Sequence, residues 1–383
     1  MAKEGVLVGR REVARFEVIT EFLKGGISRT DAATVLRLSE RSISRLARRL
    51  EGGSLAALIH KNRGRTPKHK INDISRAQAI RLTKDLYFDF NLTHAHEMLV
   101  AEHGLRASYA TFRRWCADAR LPLKRRKRRR NKRRTPRDRM PAEGLLMQFD
   151  GSTHHWNRVE KWCLIGGIDD ATSEVPHAEF YYSESTLACM KVLMRVIEKK
   201  GIPRVLYVDR AGIYGGMKRQ NFAQFERACD ELGIDIIYAD SPQGKGRIER
   251  MWSTFQDRLV AELRLKGITA MSEANEYVSR QFLPNYWNQK LVVRSQNPES
   301  FYRAAPPPAE LREIFCLKEA RNVKNDSTIS WEGVTYVVAA GPEVIGRQIE
   351  IRTYTDGKTQ ATFMGQRVEL RRVRRNRQRN RAA

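Results

Sequence analysis

Residues 144 to 266 carry a succession of strand and helix patterns that constrains the fold more than any other part of the 383-residue chain. Three strand-like runs, separated by turn residues, come first, and helix and strand patterns then alternate. The predicted strands are 145–151, 162–169, 175–182, 204–209 and 234–240, and the predicted helices are 186–200, 222–233 and 245–266. This order restricts the topology of the region without naming a reaction.

Three meandering strands followed by α-β-α-β-α are the order of the ribonuclease H-like fold. The first and fourth strands of such a sheet are neighbours, so Asp150 and Asp209 at their ends should stand side by side. Glu249, in the first turns of the last helix, should lean over them. Carboxylates this close repel one another unless divalent cations neutralise them, and a donor set without nearby Cys or His suits Mg²⁺ or Mn²⁺ rather than Zn²⁺. Two metals per site, ~4 Å apart, can assist an in-line phosphoryl displacement.

The charge balance indicates a nucleic-acid partner. Lys and Arg number 71 against 44 Asp and Glu, a formal net charge of +27 that attracts polyanions. Two runs without acids, 124–134 and 371–381, hold ten and seven of these basic residues. The five cysteines form no CxxC pair, which excludes a zinc ribbon and a disulfide framework and favours a reduced compartment. No apolar run approaches the ~18 residues of a membrane span, so we expect no membrane partner and a cytoplasmic, nucleoid-associated protein.

Residues 11–50 read as three helices with the spacing of a helix-turn-helix, and Ser39 is a candidate N-cap of the third. The second helix of that motif enters the major groove of DNA. Its polar face, opposite Ile43, Leu46 and Leu50, supplies the candidate DNA contacts Arg41, Ser42, Ser44, Arg45, Arg48 and Arg49. A small helical bundle with a solvated basic face is the alternative.

A similar unit follows, with helix patterns at 74–86 and 93–103 and a third at 108–121 that begins with a Ser cap. Phe112, Trp115 and Leu121 should face its core, and Arg113 and Arg114 should face outward toward DNA. Between the two units, Arg63 and Arg65 are typical of an extended arm in a narrow minor groove, although a solvated linker fits equally well.

Three segments carry a family resemblance: MQFDGSTHHW, LYVDRAGIYGG and ADSPQGKGRIERMWSTFQDRLVAELRLKGI. They resemble the D, D and E blocks of DDE transposases in the retroviral-integrase superfamily, most closely bacterial insertion-sequence transposases of the ISNCY type. The resemblance extends over nearly the whole chain. It implies that Asp150, Asp209 and Glu249 are a metal-binding catalytic triad and that at least a dimer works on DNA.

Residues around the three blocks are further candidates for DNA contact. Lys245, Arg247 and Arg250 flank Glu249 and should reach phosphates, although an exposed helix face would read the same. His154, His155 and Trp156 resemble the post-Asp segment of the family and are expected along the DNA path, while a zinc site there is not. Asp169, Asp170 and Asp240 also end strands, and we expect them to act in turns or caps.

The predicted fold is multidomain α+β: a tandem helix-turn-helix, a ribonuclease H-like α/β catalytic core and a small C-terminal β-barrel. The predicted boundaries are helix-turn-helix 1 (1–60), basic linker (61–72), helix-turn-helix 2 (73–121), basic linker (122–141), catalytic core with trailing helix (142–305), linker (306–326), β-barrel (327–370) and basic tail (371–383).

The function predicted is that of a DNA transposase. It would bind the terminal inverted repeats of an insertion sequence, cleave the strand with metal assistance and transfer the 3′-OH into target DNA. The alternatives are a catalytically idle DNA-binding regulator derived from a transposase and a structure-selective nuclease on the same fold.

Overall fold

The computed structural model describes residues 9–51, 55–59, 71–122, 137–209, 218–239 and 246–373. The chain divides into two compact units, residues 1–73 and 74–383. The basic run 124–134 and most of the run 371–381 lie outside the described residues. Within the described ranges, no helix is both long enough and apolar enough to cross a membrane.

The first unit is built from three helices followed by a 3₁₀ turn at Leu55–Leu58. The helices are α1 (Arg10–Leu23), α2 (Arg29–Leu36) and α3 (Glu40–Glu51). Ser39 caps α3 as predicted, because its hydroxyl accepts a hydrogen bond from the Ser42 amide at 3.3 Å. The apolar side chains of all three helices share one core, which includes the fully buried Ile19 and Ile43.

A further group of three helices follows, and apart from Asp73 it belongs to the second unit. They are α4 (Asp73–Asp85), α5 (Leu92–His103) and α6 (Tyr109–Asp118). The Ser108 hydroxyl accepts from the Thr111 amide at the start of α6, which confirms the predicted Ser cap. Phe112 and Trp115 are buried as predicted, while Leu121 is half-buried.

A mixed five-stranded sheet follows. Its strands are β1 (Leu146–His154), β2 (Trp162–Asp169), β3 (Ala178–Tyr181), β4 (Val205–Asp209) and β5 (Asp235–Ala239). The order is β3-β2-β1-β4-β5. The first three strands form an antiparallel meander, and β4 and β5 run parallel to β1. The expected contact between the first and fourth strands is therefore present.

Helices cover both faces of this sheet, because its strands alternate side chains between two apolar layers. They are α7 (Thr186–Lys200), α8 (Lys218–Glu231) and α9 (Gly246–Leu265). Met147 and Phe149 of β1 pack in the layer of α7 and α8. The opposite layer joins α9 to β2 and β3 through an aromatic cluster that includes Trp162 and Phe255.

The helix predicted to trail the catalytic core consists of three pieces. They are α10 (Met271–Tyr277), a π-helical segment (Val278–Trp287) and α11 (Asn288–Lys290). The π-helical segment contains Pro284, which has no backbone N–H to donate and so interrupts regular α-helical bonding. Phe282, Leu283 and Trp287 of this segment are nevertheless buried in the α9 layer.

The chain continues into a six-stranded sheet of order β6-β9-β10-β11-β8-β7. Its elements are α12 (Pro308–Ile314), β6 (Cys316–Asn322), β7 (Thr328–Trp331), β8 (Val334–Ala339), a 3₁₀ turn (Pro342–Val344), β9 (Gln348–Tyr354), β10 (Thr359–Phe363) and β11 (Gln366–Arg372).

The predicted linker 306–326 differs from the structure, which places α12 and β6 there. Leu311 and Phe315 are fully buried in the α7/α8 layer. Strand β6 pairs with β9 over its whole length. The Pro-rich start and the charges of the stretch concealed these two elements, because their apolar positions are few.

Candidate active site

Asp150 is the central residue of β1 and is half-buried, so the prediction that it ends this strand was wrong: the strand continues for four more residues, to His154. It is paired across the sheet with Gly166 of β2, which has no side chain to compete for space. Its carboxylate oxygen Oδ2 accepts a hydrogen bond from the indole Nε1 of Trp252, on α9, at 3.3 Å. This bond ties the carboxylate to the helix that carries Glu249.

Glu249 is in the first turn of α9, and its side chain is exposed. A carboxylate is favourable there because the helix dipole is positive at its N-terminus. Trp252 follows three residues later, and residues three apart occupy the same side of a helix. Glu249 and the indole that binds Asp150 are therefore neighbours on one helix face.

Asp209 is the last residue of β4, and its side chain lies outside the described part of the structure. Strand β4 pairs in parallel with β1 through Leu146 and Val205, and this register continues to Gln148 and Tyr207. The paired residues end there, and Asp150 and Asp209 each follow two residues later on their own strands.

Three side-chain hydrogen bonds fasten α9 along β1. Gln148 Oε1 accepts from the Ile248 amide at 3.1 Å, Asp150 Oδ2 accepts from Trp252 Nε1 at 3.3 Å, and Gln256 Nε2 donates to Ser152 Oγ at 3.0 Å. We call these three contacts the β1–α9 bonds. Their partners are spaced two residues apart on the strand and four apart on the helix. These spacings match, since two strand residues span about 6.7 Å and four helix residues about 6 Å.

A second set of contacts fixes the start of α9. Asp170 Oδ1 accepts from Gln148 Nε2 at 2.8 Å and from Arg247 Nη1 at 2.9 Å, and Arg137 also forms an ion pair with this carboxylate. Burial lowers the pKa of Arg247, and the nearby Asp170 opposes that change. Arg247, predicted to contact DNA, thus bonds within the protein and is 16 % exposed.

Asp169 acts in the turn after β2, as expected. Its Oδ1 accepts from the backbone amides of Ala171 and Thr172 at 3.0 and 2.9 Å, and its Oδ2 accepts from Tyr302 and Gly144. The predicted cap residue Asp240 lies outside the described residues.

A further acid, Glu184, lies next to β1 and was not identified from the sequence. A methyl group at Gly151 would be 3.0 Å from the Glu184 carboxyl carbon, so Glu184 approaches the strand beside Asp150. The pKa of the neighbouring Cys163 is raised to about 11, chiefly by burial and in smaller part by the charges of Glu184 and Asp150. A single acid in the turn before a helix has no pattern that would have drawn attention to it.

The remaining candidates are placed as follows. Trp156 is fully buried against Phe180, so its expected position along a DNA path was wrong, whereas His155 is exposed and His154 half-buried. Arg41, Arg45, Arg48, Arg113, Arg114 and Arg250 are exposed, and Ser42, Ser44 and Arg49 are half-buried. Arg63, Arg65 and Lys245 lie outside the described residues.

Three half-buried candidates on α3 already have partners within the unit. Arg49 Nη2 donates to the Ile59 carbonyl at 3.1 Å, the Ser44 hydroxyl donates to the Glu40 carbonyl at 3.2 Å, and the Ser42 and Ser39 hydroxyls are 2.9 Å apart. The exposed arginines of α3 are therefore the better candidates for contact with DNA.

No group of three Asp, Glu, His or Cys side chains arranged to hold a metal ion is found in the described ranges, which omit the Asp209 side chain. Asp150 and Glu249 offer carboxylate oxygens, the donor type that Mg²⁺ and Mn²⁺ prefer. The thiol of Cys163, on the neighbouring strand β2, is fully buried and therefore a poor ligand.

Solved structures with limited similarity to the chain include the following two. A simian T-cell lymphotropic virus intasome in complex with PP2A regulatory subunit B56 gamma is 17 % identical and has a TM-score of 0.34, covering 78 % of this chain and 100 % of that one. The HTLV-2 integrase catalytic core domain in complex with magnesium (trimeric form) is also 17 % identical, with a TM-score of 0.29, and covers 36 % of this chain and 84 % of that one.

Sequence relatives are more informative. Residues 14–66 match a family model described as a helix-turn-helix domain. A Sinorhizobium fredii protein named as a transposase, y4bF, is 34 % identical over 94 % of this chain and 80 % of its own length. The transposase for insertion sequence IS1202 of Streptococcus pneumoniae is 27 % identical over 85 % of this chain and 78 % of its own length. The chain is thus a member of the transposase family, with a helix-turn-helix at its N-terminal end.

Proposed function

We propose that this transposase binds the terminal inverted repeats of an insertion sequence, cleaves the DNA strand there and transfers the resulting 3′-OH into target DNA. Asp150, Asp209 and Glu249 form its catalytic triad. The observation that carries this proposal is the bond between Trp252 and Asp150, because it joins the strand of one acid to the helix of another.

The sheet supports a ribonuclease H-like core. An antiparallel β1–β2–β3 meander with β4 and β5 parallel to β1 has the strand order expected of that fold. We assign α4–α6 as the second helix-turn-helix of a tandem pair and β6–β11 as a small β-barrel, within the domain boundaries given above.

A pair of Mg²⁺ or Mn²⁺ ions fits the donor set of this site. The three carboxylates would hold them, and the ions when bound would lower the free energy of charge that develops on the attacking and leaving oxygens. The protein supplies the positions of these carboxylates: Trp252 holds Asp150, and the β1–α9 bonds hold the helix of Glu249.

The protein's other groups fit a reaction without a covalent enzyme intermediate. Cys163 lies close to Asp150, but burial keeps its thiol protonated by raising its pKa to about 11. The nucleophiles are then a water molecule for cleavage and the DNA 3′-OH for transfer. Arg250, exposed next to Glu249, can meet a phosphate of the bound strand.

End recognition is assigned to the helix-turn-helix of residues 14–66 together with α4–α6. The exposed Arg41, Arg45 and Arg48 of α3 and Arg113 and Arg114 of α6 are the proposed contacts among the described residues, with Arg63, Arg65 and Lys245 as further candidates. Two ends must be joined, so at least two copies act together on DNA, in the bacterial nucleoid.

A plasmid carrying both ends of the insertion sequence tests the proposal. Purified protein is incubated with it in Mg²⁺ or in EDTA, and cleavage and strand transfer are followed on gels. We expect Asp150→Asn, Asp209→Asn and Glu249→Gln to lose both activities and to keep their affinity for the end in EDTA. Glu273→Gln, on the exposed face of α10, is the matched control and should remain active.

Full activity in any of the three variants would remove that residue from the triad. A wild-type protein that binds the ends and never cleaves would identify the chain as an idle DNA-binding regulator. Cleavage without joining of pre-cut ends would instead identify a nuclease.

A further inference from the structure

The helical group α4–α6 is docked on the far half of α9. Arg264 of α9 holds Asp89, in the turn before α5, through two hydrogen bonds of 3.1 and 2.7 Å, and also donates to the Leu86 carbonyl at 2.7 Å. Arg158 forms a second ion pair with Asp89. One turn and a half earlier on α9, Arg258 Nη2 donates to Glu97 of α5 at 2.6 Å.

The centre of this contact is buried. His94 Nε2 of α5 lies 2.8 Å from Glu262 Oε1 of α9, with side-chain exposures of 0 % and 9 %. Tyr277 donates to the other oxygen of Glu262 at 2.7 Å. Burying ionisable groups is costly unless each finds a partner, so such a pair forms in a contact that is closed to water.

The two sides of the contact carry opposite charges, and the negative side belongs to the helical group even though the protein as a whole is basic. The helical group contributes acids, Asp89 and Glu97, and the core contributes Arg258 and Arg264. Acids would be repelled by a DNA backbone, so this side of the group is unsuited to DNA. Arg113 and Arg114 are exposed on α6, whereas the docking contacts come from α5 and the turn before it.

Helix α9 joins this contact to the candidate active site. It runs unbroken for 20 residues, from Gly246 to Leu265, with Glu249 in its first turn and Arg264 in its last. The distance along the helix between these two residues is about 22 Å. A group fixed at one end therefore has a defined position relative to the acid at the other.

We infer that α5 docks α4–α6 on the catalytic helix so that the DNA segment contacted by α6 is placed in register with Glu249 of the same chain. Asp89, His94 and Glu97 are then positioning residues, which act on cleavage through α9 without touching the scissile phosphate. This inference rests on the proposed function, which supplies the DNA and the reaction.

Loosening the contact is the first test. The variant Asp89→Arg places a positive charge next to Arg158 and Arg264. The resulting repulsion should release α5 from α9. Backbone hydrogen exchange in residues 92–103, measured without DNA, should rise at least tenfold. On the plasmid with both ends, cleavage at the correct position should fall by about a hundredfold, the cost typical of a misplaced substrate.

Glu276→Arg is the matched control. It makes the same change of charge at a residue that is 61 % exposed and pairs with Arg280 within α10 and the segment that follows. It should leave exchange in α5 and the position of cleavage unchanged. Equal, accurate cleavage by Asp89→Arg despite raised exchange would overturn the inference.

Locking the contact is the second test, and it does not depend on loss of function. The Asn91 side chain donates to Asp257 of α9, so Asn91→Cys with Asp257→Cys can be joined through two disulfide bonds by a short bifunctional methanethiosulfonate, which a thiol reductant removes. The five native cysteines are buried and should not react. The crosslinked protein should keep its cleavage activity, whereas loss of activity on crosslinking and recovery on reduction would overturn the inference.

The two proposals fail in different ways. Failure of the proposed function would appear as a wild-type protein that does not cleave. Failure of the docking inference would appear as cleavage that is indifferent to release of α5 or is blocked by its fixation.

Discussion

The indole nitrogen of Trp252 donates a hydrogen bond to Asp150 Oδ2 at 3.3 Å, and this bond is the middle one of three between β1 and α9. Gln148 and Ser152 make the flanking bonds from the same face of the strand. A strand that places polar groups on alternate residues and a helix that places partners at every turn can thus be held in one register. The carboxylate is oriented by the helix that carries Glu249.

Replacing Trp252 with Phe should lower strand cleavage while leaving the fold intact. The variant keeps an aromatic ring against Phe255 and loses the donor to Asp150. A hydrogen bond to a charged group contributes about 1.5 kcal/mol or more, which corresponds to about tenfold in rate if it is needed in the transition state. Single-turnover cleavage, compared with end binding in EDTA, measures this loss.

Trp287→Phe serves as its control. Trp287 is buried, packs on Phe255 and donates its Nε1 to the Ser173 carbonyl, away from Asp150. It should lose thermal stability as Trp252→Phe does and keep the cleavage rate. Equal cleavage losses in both variants would show that the effect comes from packing.

Gln148→Met should reduce stability, because Gln148 is fully buried and serves both the Ile248 amide and Asp170. The shape of the side chain is kept and its two hydrogen bonds are removed. Leaving buried polar groups without partners costs about 1–3 kcal/mol. Denaturant unfolding should show that the free energy of unfolding falls by an amount in that range. Gln256→Met removes one half-buried hydrogen bond to Ser152 and should lower the free energy of unfolding by less. A larger loss of stability in Gln256→Met than in Gln148→Met would show that Gln148 does not fix the start of α9.

Gly151→Ala tests how tightly β1 packs beside Asp150. An added methyl group would lie 3.0 Å from both the Cys163 sulfur and the Glu184 carboxyl carbon, so these neighbours must shift. Overpacking of this kind costs about 1–3 kcal/mol. Gly246→Ala is the matched change, since nothing lies within 4 Å of its added methyl and neither glycine has a positive φ. We expect a lower melting temperature and weaker cleavage for Gly151→Ala alone.

The stability of the protein should fall as the pH drops below 6.5. Burial lowers the pKa of His94 below its usual 6.5, against the opposing effect of Glu262. The unfolded chain then takes up a proton near pH 6.5 that the folded protein does not, so the free energy of unfolding decreases with falling pH by at most about 1.4 kcal/mol per pH unit. Arg258 and Glu97 are the other charged groups that act on this imidazole.

Unfolding measured between pH 5 and 8 checks the contribution of His94. His94→Gln should have a shallower pH dependence than wild type. The pKa of His177 is also lowered by burial, so His177→Gln should remove a separate part of the pH dependence of the free energy of unfolding. The double variant should lose both parts. An unchanged slope in His94→Gln would show that its imidazole takes up its proton equally in both states.

The sequence predicted the local elements well where a pattern repeats within a few residues. The capping serines Ser39 and Ser108, the apolar faces of α3 and α6 and the strand order around Asp150 all depend on short-range signals. The neighbouring positions of β1 and β4 followed from that order. The role of Asp169 in its turn was also anticipated, because an Asp at a strand end commonly accepts amides that follow it.

Contacts between distant residues could not be predicted in this way. Gln148 and Ile248 are 100 residues apart, and nothing near Gln148 shows that its amide will accept from the start of a helix. The docking of His94 on Glu262 is equally non-local. Arg247 was predicted to contact DNA because the sequence shows only its positive charge. In the structure this charge forms an ion pair with Asp170.

Gln224 of α8 forms the same pair of hydrogen bonds with strand β6 that a residue of a neighbouring strand would form. Its side-chain amide donates to the Lys318 carbonyl at 3.0 Å and accepts from the Lys318 amide at 3.2 Å. Edge strands with vacant backbone groups recruit other chains into aggregates. A single glutamine thus occupies the backbone groups of Lys318, so that no other strand can add to β6 at that point.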